Sequence, residues 1–262
     1  MVPQDPSDEP AEKLLKRLGK VPLDCDDLQE LSKGWCWANA SQLCESVVCG
    51  STPESELMTD RMGDIPFIKV YNLTFDTNLD FTVKPTFINF QTQNIKLKRS
   101  KVYPGDILTN IVGPPLGKVS IVPKTYPEWN INQAIVAFHT GKNLNNNYLS
   151  IVLRSPDFLK RIKATARATA GQFNISLTTC RSIPLPIPPL HEQRRIVAEV
   201  ERRFSVVQEL ELTIEANLKR ATRLRQAILK RAFEGRLINQ DPLYFSVQRN
   251  TENSKPEQME LF

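Results

Sequence analysis

The sequence predicts an α+β protein, one domain with a sheet of many short strands followed by a long coiled-coil-forming α-helix. Two features predict this class. Between residues 64 and 138, short β-rich runs alternate with turns marked by proline and glycine. After Pro189 come 45 residues, 190–234, without a proline or a glycine. At ~1.5 Å per residue such a run makes a rod of roughly 65 Å. With 40% hydrophobic and 24% charged residues among 262, the composition supports a buried core.

The N-terminal segment, 1–34, is acidic, with eight acids against five bases. Its opening, MVPQDPSDEPAEKLL, lacks the basic-then-apolar pattern of an export signal. No run approaches the ~20 apolar residues of a membrane span. A cytoplasmic protein without membrane association is expected. The cysteines, Cys25, Cys36, Cys44, Cys49 and Cys180, are odd in number and irregularly spaced. That favours reduced thiols over a disulfide framework. No CxxC pair supports a zinc site at Cys36, Cys44 and Cys49.

Residues 35–189 form the predicted globular domain. Residues 64–70, DIPFIKV, make an apolar strand with Pro66 near its start. Short β-type pieces at 81–83 and 86–91 flank Pro85. Residues 95–102 alternate apolar with basic and are expected to be extended. Pro104, Gly105 and Asp106 spell a turn. Strands follow at 107–112, 118–122 and 134–138, the first closed by Gly113-Pro114-Pro115. Residues 148–170 read as helical, with Pro156 marking a break or a fresh start.

The long helix, 190–236, is bounded by local signals. Pro188 and Pro189 suit a first turn, where a missing N–H costs nothing. Glu192 suits the positive end of the helix dipole, and Lys230, Arg231 and Arg236 the negative end. Gly235 is the expected stop. Val197, Val200, Phe204, Val207, Leu210, Ile214, Leu218, Ala221, Leu224 and Ile228 recur at steps of three and four, one continuous apolar stripe. Two successive four-steps at Leu210, Ile214 and Leu218 break a strict heptad, so a nearly straight antiparallel pairing is expected. No second helix of comparable length is written in the chain to cover the stripe. A partner from another chain is therefore expected, although a helix of an ordinary bundle would carry a similar stripe.

Charge is unevenly placed. Residues 35–189 hold 16 bases and 10 acids, and 190–236 hold 11 bases and seven acids. The tail, 237–262, is acidic again, with four acids and two bases. A basic middle suits a polyanion, and an ordinary solvated surface is the plain alternative. Catalytic signatures are sparse. Gly113 and Leu116 bracket Pro114-Pro115, where an amino-methyltransferase loop would have an amide acceptor and an aromatic ring. Gly117-Lys118 lacks the spacing and hydroxyl of a P-loop. His139 and His191 are far apart in sequence, and a capping or surface role is expected for His191.

Four phrases occur together in a telling order: GDIPFIKVYNL at 63–73, VYPGDILTNIVGPPLGKVSIVP at 102–123, NINQAIVAF at 130–138 and ISLTTCRSIPLPIPPLHEQRRIV at 175–197. Together they resemble the specificity subunit of type I DNA restriction-modification systems, across nearly all of 35–238. The last phrase carries the most weight. The resemblance implies a target recognition domain at 35–189, a conserved spacer and dimerisation helix at 190–236, and a tail at 237–262. MVPQDP at 1–6 and LINQDP at 237–242 look like one phrase used twice. In this family that phrase follows each long helix, so 1–34 resembles the region after a preceding repeat. A half-length form with one recognition domain is implied.

The resemblance further implies a non-catalytic DNA-recognition role on a bipartite target. Its partners would be double-stranded DNA, a modification (methyltransferase) subunit, a restriction/translocase subunit, and a second copy or another half-subunit. No cofactor is expected on this chain; S-adenosylmethionine, ATP and magnesium would serve the partner subunits. Two other readings stand beside it, a coiled-coil scaffold whose domain binds protein and a fused endonuclease fragment. By residue type, the candidate DNA readers are Lys69, Tyr71, Asn72, Asn110, Lys118, Asn132, Gln133 and Lys142. Lys142 is followed by Asn143, Asn145, Asn146 and Asn147. Lys160, Arg161, Lys163 and Arg167 are candidates for phosphate contact. Gln133 matches the family's N-x-Q glutamine, and a structural role for it is an equal alternative. The expected partner face is Val197, Val200, Phe204, Val207, Ile214, Leu218, Ala221 and Ile228.

Overall fold

The computed structural model describes residues 4–24, 28–60, 62–169 and 172–237. In chain order its first elements are α1 (Ala11–Arg17), β1 (Cys36–Asn39), α2 (Ala40–Leu43), β2 (Ser46–Cys49), β3 (Met58–Asp60), β4 (Ile65–Ile68) and β5 (Thr86–Ile88). Then come α3 (Phe90–Ile95), β6 (Lys101–Val102), β7 (Ile107–Asn110), β8 (Val112–Gly113), β9 (Val119–Ile121), β10 (Trp129–Ile131) and β11 (Ile135–His139). The last are α4 (Asn146–Arg154), α5 (Pro156–Thr165), β12 (Arg167–Thr169), β13 (Gln172–Asn174), α6 (Leu177–Ser182), β14 (Pro184–Ile187) and α7 (Leu190–Phe233). The chain divides into two compact units after Val200.

The first unit is layered. A five-stranded sheet runs β3-β5-β4-β10-β6, and a four-stranded sheet runs β2-β11-β7-β9. Side chains alternate across a strand, and here the alternation sorts them between two cores. In β11, Ile135 and Ala137 join Leu108, Ile68, Val102, Trp129 and Ile131 in a cluster shared by both sheets. Val136 and Phe138 point the other way, into a cluster with Ile107 and the helical residues Leu149, Leu153, Phe158 and Ile162. The outer face of the five-stranded sheet is closed by Ile65, Phe67, Ile88 and Leu97. The four-stranded sheet is thus covered on both faces, which is why its strands read as apolar runs. Ala11, Leu14 and Leu15 of α1 belong to the helical cluster too.

Short polar side chains start the helices. Asn89 caps α3, Asn145 caps α4, Ser155 caps α5 with Pro156 in its first turn, and Ser176 caps α6. Gly50 is required by close approach: a Cβ there would lie 2.0 Å from the Asn132 carbonyl oxygen.

Three sequence expectations are corrected. Residues 81–83 form a turn rather than a strand. The Asp80 carboxylate accepts the Thr82 N–H at 3.0 Å and its hydroxyl at 2.6 Å, a local bond that competes with sheet pairing. Residues 95–102 are not extended throughout. α3 ends at Ile95, a 3-10 turn takes Lys98–Ser100, and only Lys101–Val102 pair, with β10. The helical reading of 148–170 holds to Thr165; the chain then enters β12, which pairs with β13, and β13 pairs with β8.

The start of α7 is locked to the domain by one amide. Gln193 is fully buried. Its Nε2 donates to the Pro188 carbonyl at 3.1 Å, and its Oε1 accepts the Asn145 N–H at 2.9 Å. Pro189 sits just ahead of the first turn, its carbonyl accepting the Gln193 N–H at 2.9 Å. Arg195 forks onto both carboxylate oxygens of Asp8. Val197 is buried in the domain core. The helix runs 44 residues. Its end is a Schellman arrangement, with the Gly235 N–H on the Ala232 carbonyl, the Arg236 N–H on the Arg231 carbonyl and Gly235 at φ +71°.

Cys36, Cys44, Cys49 and Cys180 are free thiols, and Cys25 lies outside the described residues. Burial pushes the Cys36 thiol up to about 11 and the Cys44 and Cys180 thiols up to about 12. Such thiols are poor nucleophiles and poor metal ligands at neutral pH. The repeated phrase at 1–6 and 237–242 lies largely outside the described residues.

Replacing Gln193 with Ala strands the Asn145 N–H and the Pro188 carbonyl in the interior. We expect a loss of about 2–4 kcal/mol, read as a lowered urea midpoint with an unchanged m-value.

Candidate nucleic-acid interface

Side chains that read a base must be exposed, polar and held on a stiff support. The structure sorts the candidate readers by that criterion. Tyr71 is exposed and Lys69 half-buried, both just past the end of β4. They line a cleft of about 700 Å³ together with Asp60, Thr82, Lys84 and Thr86. These residues share one end of three adjacent strands. Asp60, the last residue of β3, pairs with Thr86, the first of β5. β5 pairs in turn with β4 at Pro66↔Phe87.

The loop that walls this cleft is locked by its own hydrogen bonds. Asn72 is buried, with Nδ2 donating to the Asp80 carbonyl at 3.0 Å and the Val83 carbonyl at 2.8 Å. Its Oδ1 accepts the Lys69 N–H at 2.9 Å. The Tyr71 hydroxyl donates to the Lys84 carbonyl at 3.2 Å. Asp76 accepts the Thr74 hydroxyl and the Asn78 amide, bonds that hold its carboxyl below the usual carboxylate range. Thr77 and Lys84 lie at φ +75° and +45°. That region is strained for residues with a Cβ, and strain of this kind gathers where a loop must hold a set shape.

Several candidates are reassigned. Asn72 is a turn lock with its amide fully used, not a reader. Asn110 is likewise buried, donating to the Val112 carbonyl at 3.0 Å and the Pro115 carbonyl at 2.8 Å and accepting the Lys118 N–H at 3.0 Å. Lys118 donates through Nζ to the Val70 carbonyl at 3.2 Å, tying the turn to the cleft loop. Asn132 is half-buried, its Oδ1 without a partner among the described residues. Gln133 is exposed, and its carboxamide oxygen accepts the Thr52 hydroxyl.

Lys142 is exposed beside a second polar cleft, of about 510 Å³, with Asn145, Asn146, Asn147 and Arg194. Two of those amides are committed: Asn145 caps α4 and Asn146 accepts the Thr140 hydroxyl. On α5, Phe158 and Ile162 face inward while Lys160 and Lys163 are exposed. Arg161 turns back, donating to the Pro184 carbonyl at 2.8 Å and stacking 5.3 Å over Trp37. Arg167 opens β12, and its side chain lies outside the described residues.

Sequence reading missed Lys84 and Thr82. The available signal was a Lys-Pro step after two Asx-type turns at Asp76 and Asp80, which reads as punctuation rather than as a site. Asn130, in the NINQ phrase, is also structural. It accepts the Ser100 hydroxyl at 2.8 Å and donates to Gln93 and to the Leu97 carbonyl, joining α3 to β10.

The expected partner face divides as well. Val197 belongs to the domain core and is withdrawn from that face, and Val200 is half-buried. Phe204, Val207, Leu210, Ile214, Leu218, Leu224 and Ile228 are 46–63% exposed, and Ala221 is exposed with them. Among the described residues, no three His, Cys, Asp or Glu side chains are grouped to hold a metal, and no helix is long and apolar enough to cross a membrane.

Comparison with known proteins completes the picture. Residues 33–220 match the model of the type I restriction modification DNA specificity domain. The chain is 27% identical over 258 residues to the type I restriction enzyme EcoEI specificity subunit of Escherichia coli, an alignment covering 87% of this chain and 42% of that protein. It is 31% identical over 148 residues to the EcoBI specificity subunit of the same organism, covering 56% of this chain and 31% of that protein. The HsdS subunit from Thermoanaerobacter tengcongensis superposes with a TM-score of 0.55 at 23% identity, over 86% of this chain and 50% of that one. A chain from a structural study of type I R-M complex assembly gives 0.59 at 23% identity, over 86% of this chain and 52% of that one. These two likenesses show the fold. The chain spans less than half the length of these curated relatives.

Proposed function

The chain belongs to the type I restriction modification DNA specificity family, and on that premise we propose that it is the sequence-reading part of a type I restriction-modification complex. The observation that carries this reading is the family match across 33–220. The excess of bases in 35–189 and the pre-shaped polar cleft at Lys69, Tyr71 and Lys84 support it. In this reading the exposed lysines of α5 contact phosphates and set the orientation of the duplex, while cleft side chains reach base edges. The chain performs no chemistry. A modification subunit carrying S-adenosylmethionine methylates the target, and a restriction/translocase subunit uses ATP and magnesium. All of this takes place in the cytoplasm.

The apolar face of α7 is the proposed assembly surface. A second copy laid antiparallel would set Arg223, Arg225 and Arg231 near its Glu199 and Glu201. Exposed ion pairs of that kind contribute under ~1 kcal/mol each, so the buried stripe supplies the association, at ~25 cal/mol per Å². Two recognition domains related by a two-fold axis would read two identical half-sites in inverted orientation. Another half-subunit could take the same place.

Binding of a duplex should weaken steeply with salt, because each neutralised phosphate releases counterions. Lys163→Glu should weaken all duplexes alike; affinity that is flat between 50 and 200 mM salt would remove the DNA-binding reading. Light scattering tests the assembly: we expect a dimer for the parent at micromolar concentration and a monomer for Leu218→Asp. A parent that is monomeric alone would move the pairing to a different half-subunit or to the modification subunit.

A further inference from the structure

We propose that the cleft at the ends of β3, β5 and β4 reads a G·C base pair in the major groove, with Lys84 and Lys69 as guanine donors and Asp60 as the cytosine acceptor. This rests on the DNA-recognition reading above and names the residues and the base that carry specificity.

The strand ends bring these three together. Lys69 follows the end of β4 and Lys84 precedes the start of β5, and both line the one cleft, where the Tyr71 hydroxyl reaches the Lys84 carbonyl. Asp60 is held beside them by its pairing with Thr86. Neither lysine ammonium makes an ion pair among the described residues, whereas Lys96 and Lys101 of the same domain do, with Glu54 and Glu128. Two ammonium groups lining one cleft favour an electron-rich ligand.

The shape is fixed before anything binds. Lys84 sits at φ +45°, its carbonyl is taken by Tyr71, and the buried Asn72 ties the loop at Asp80 and Val83. A lysine in an open flexible loop would be a generic phosphate contact. Here the backbone that carries the lysine is clamped, so the root of its side chain has a fixed position at the cleft. Guanine presents two acceptors, O6 and N7, to ammonium donors, and cytosine presents one N4 amino donor to a carboxylate. Asp60 repels phosphate, so its presence in the cleft argues against a backbone-only site. The cleft therefore offers donors for one base and an acceptor for its partner.

The test is selection of bound duplexes from a random pool by the full chain with a modification subunit, repeated with Lys84→Gln, Lys69→Gln and Asp60→Asn. The parent should enrich a motif containing a G·C pair. Each lysine variant should lose roughly tenfold of the guanine preference at one position and keep the other positions. Asp60→Asn should relax the cytosine side of the same pair. The lysine variants should melt with the parent, since neither ammonium makes an ion pair among the described residues that the substitution would remove.

Uniform weakening of all duplexes, with a salt slope reduced by about one, would make the lysines phosphate contacts and overturn the proposal while leaving DNA recognition standing. An unchanged motif in all three variants would overturn it as well. A parent that enriches no motif would remove both readings.

Discussion

The structure depends on how a long helix is joined to a small domain, and that joint centres on one buried side chain, with the Arg195–Asp8 pair and Val197 beside it. Gln193 has no charge and no exposure, yet it answers two backbone groups that nothing else near it answers, the Asn145 N–H and the Pro188 carbonyl. Buried backbone groups are costly when unpaired. The amide thus turns the beginning of α7 into part of the domain core. Val197, one turn further on, finishes the joint by packing with the domain's own apolar residues. A helix of 44 residues needs such an anchor if its length is to carry positional meaning. A frayed first turn would swing everything attached to it.

The same logic runs through the proposed reading face. Asn72 and Asn110 are spent on holding loops in place, and Asn72, bonded to the Lys69 N–H and the Val83 carbonyl, sets where Lys69 and Lys84 stand. In both loops the amide bridges backbone groups that would otherwise be left unpaired by a tight turn. A recognition domain of this kind keeps its sheets for stiffness and gives its strand ends to the ligand. The β3–β5–β4 end offers exposed polar groups on a support closed behind by Ile65, Phe67 and Ile88.

Much of this fold was legible in the sequence, and the parts that were not share a cause. The order of β7, turn, β9 and β11 could be read because alternation and the Pro-Gly-Asp turn agree with the final pairing. The long helix could be read because nothing in 190–234 opposes it. Residues 95–102 were misread because their alternation suits a strand, whereas the helix capped by Asn89 runs to Ile95 and a 3-10 turn follows, leaving Leu97 and Val102 to bury themselves separately. The run after Thr165 has helical propensity, but pairing of β13 with β8 overrides it. At the site, residue type could nominate asparagines and lysines. It could not separate an amide locked by its own turn from one facing solvent, since the distinction lies in burial. Lys84 was invisible for a related reason, because its importance comes from a backbone conformation that nothing in its side chain requires.

In the assembly proposed above, with two copies paired through α7, helix length would set the distance between the two reading domains. Duplicating residues 208–214 adds two turns to α7, about 10.5 Å at ~1.5 Å per residue, and keeps the apolar stripe in phase. At ~3.4 Å per base pair, the account predicts that duplexes selected by the lengthened protein keep both half-sites and gain about three base pairs between them. An unchanged gap, with the half-sites intact and the lengthened helix folded, would contradict it.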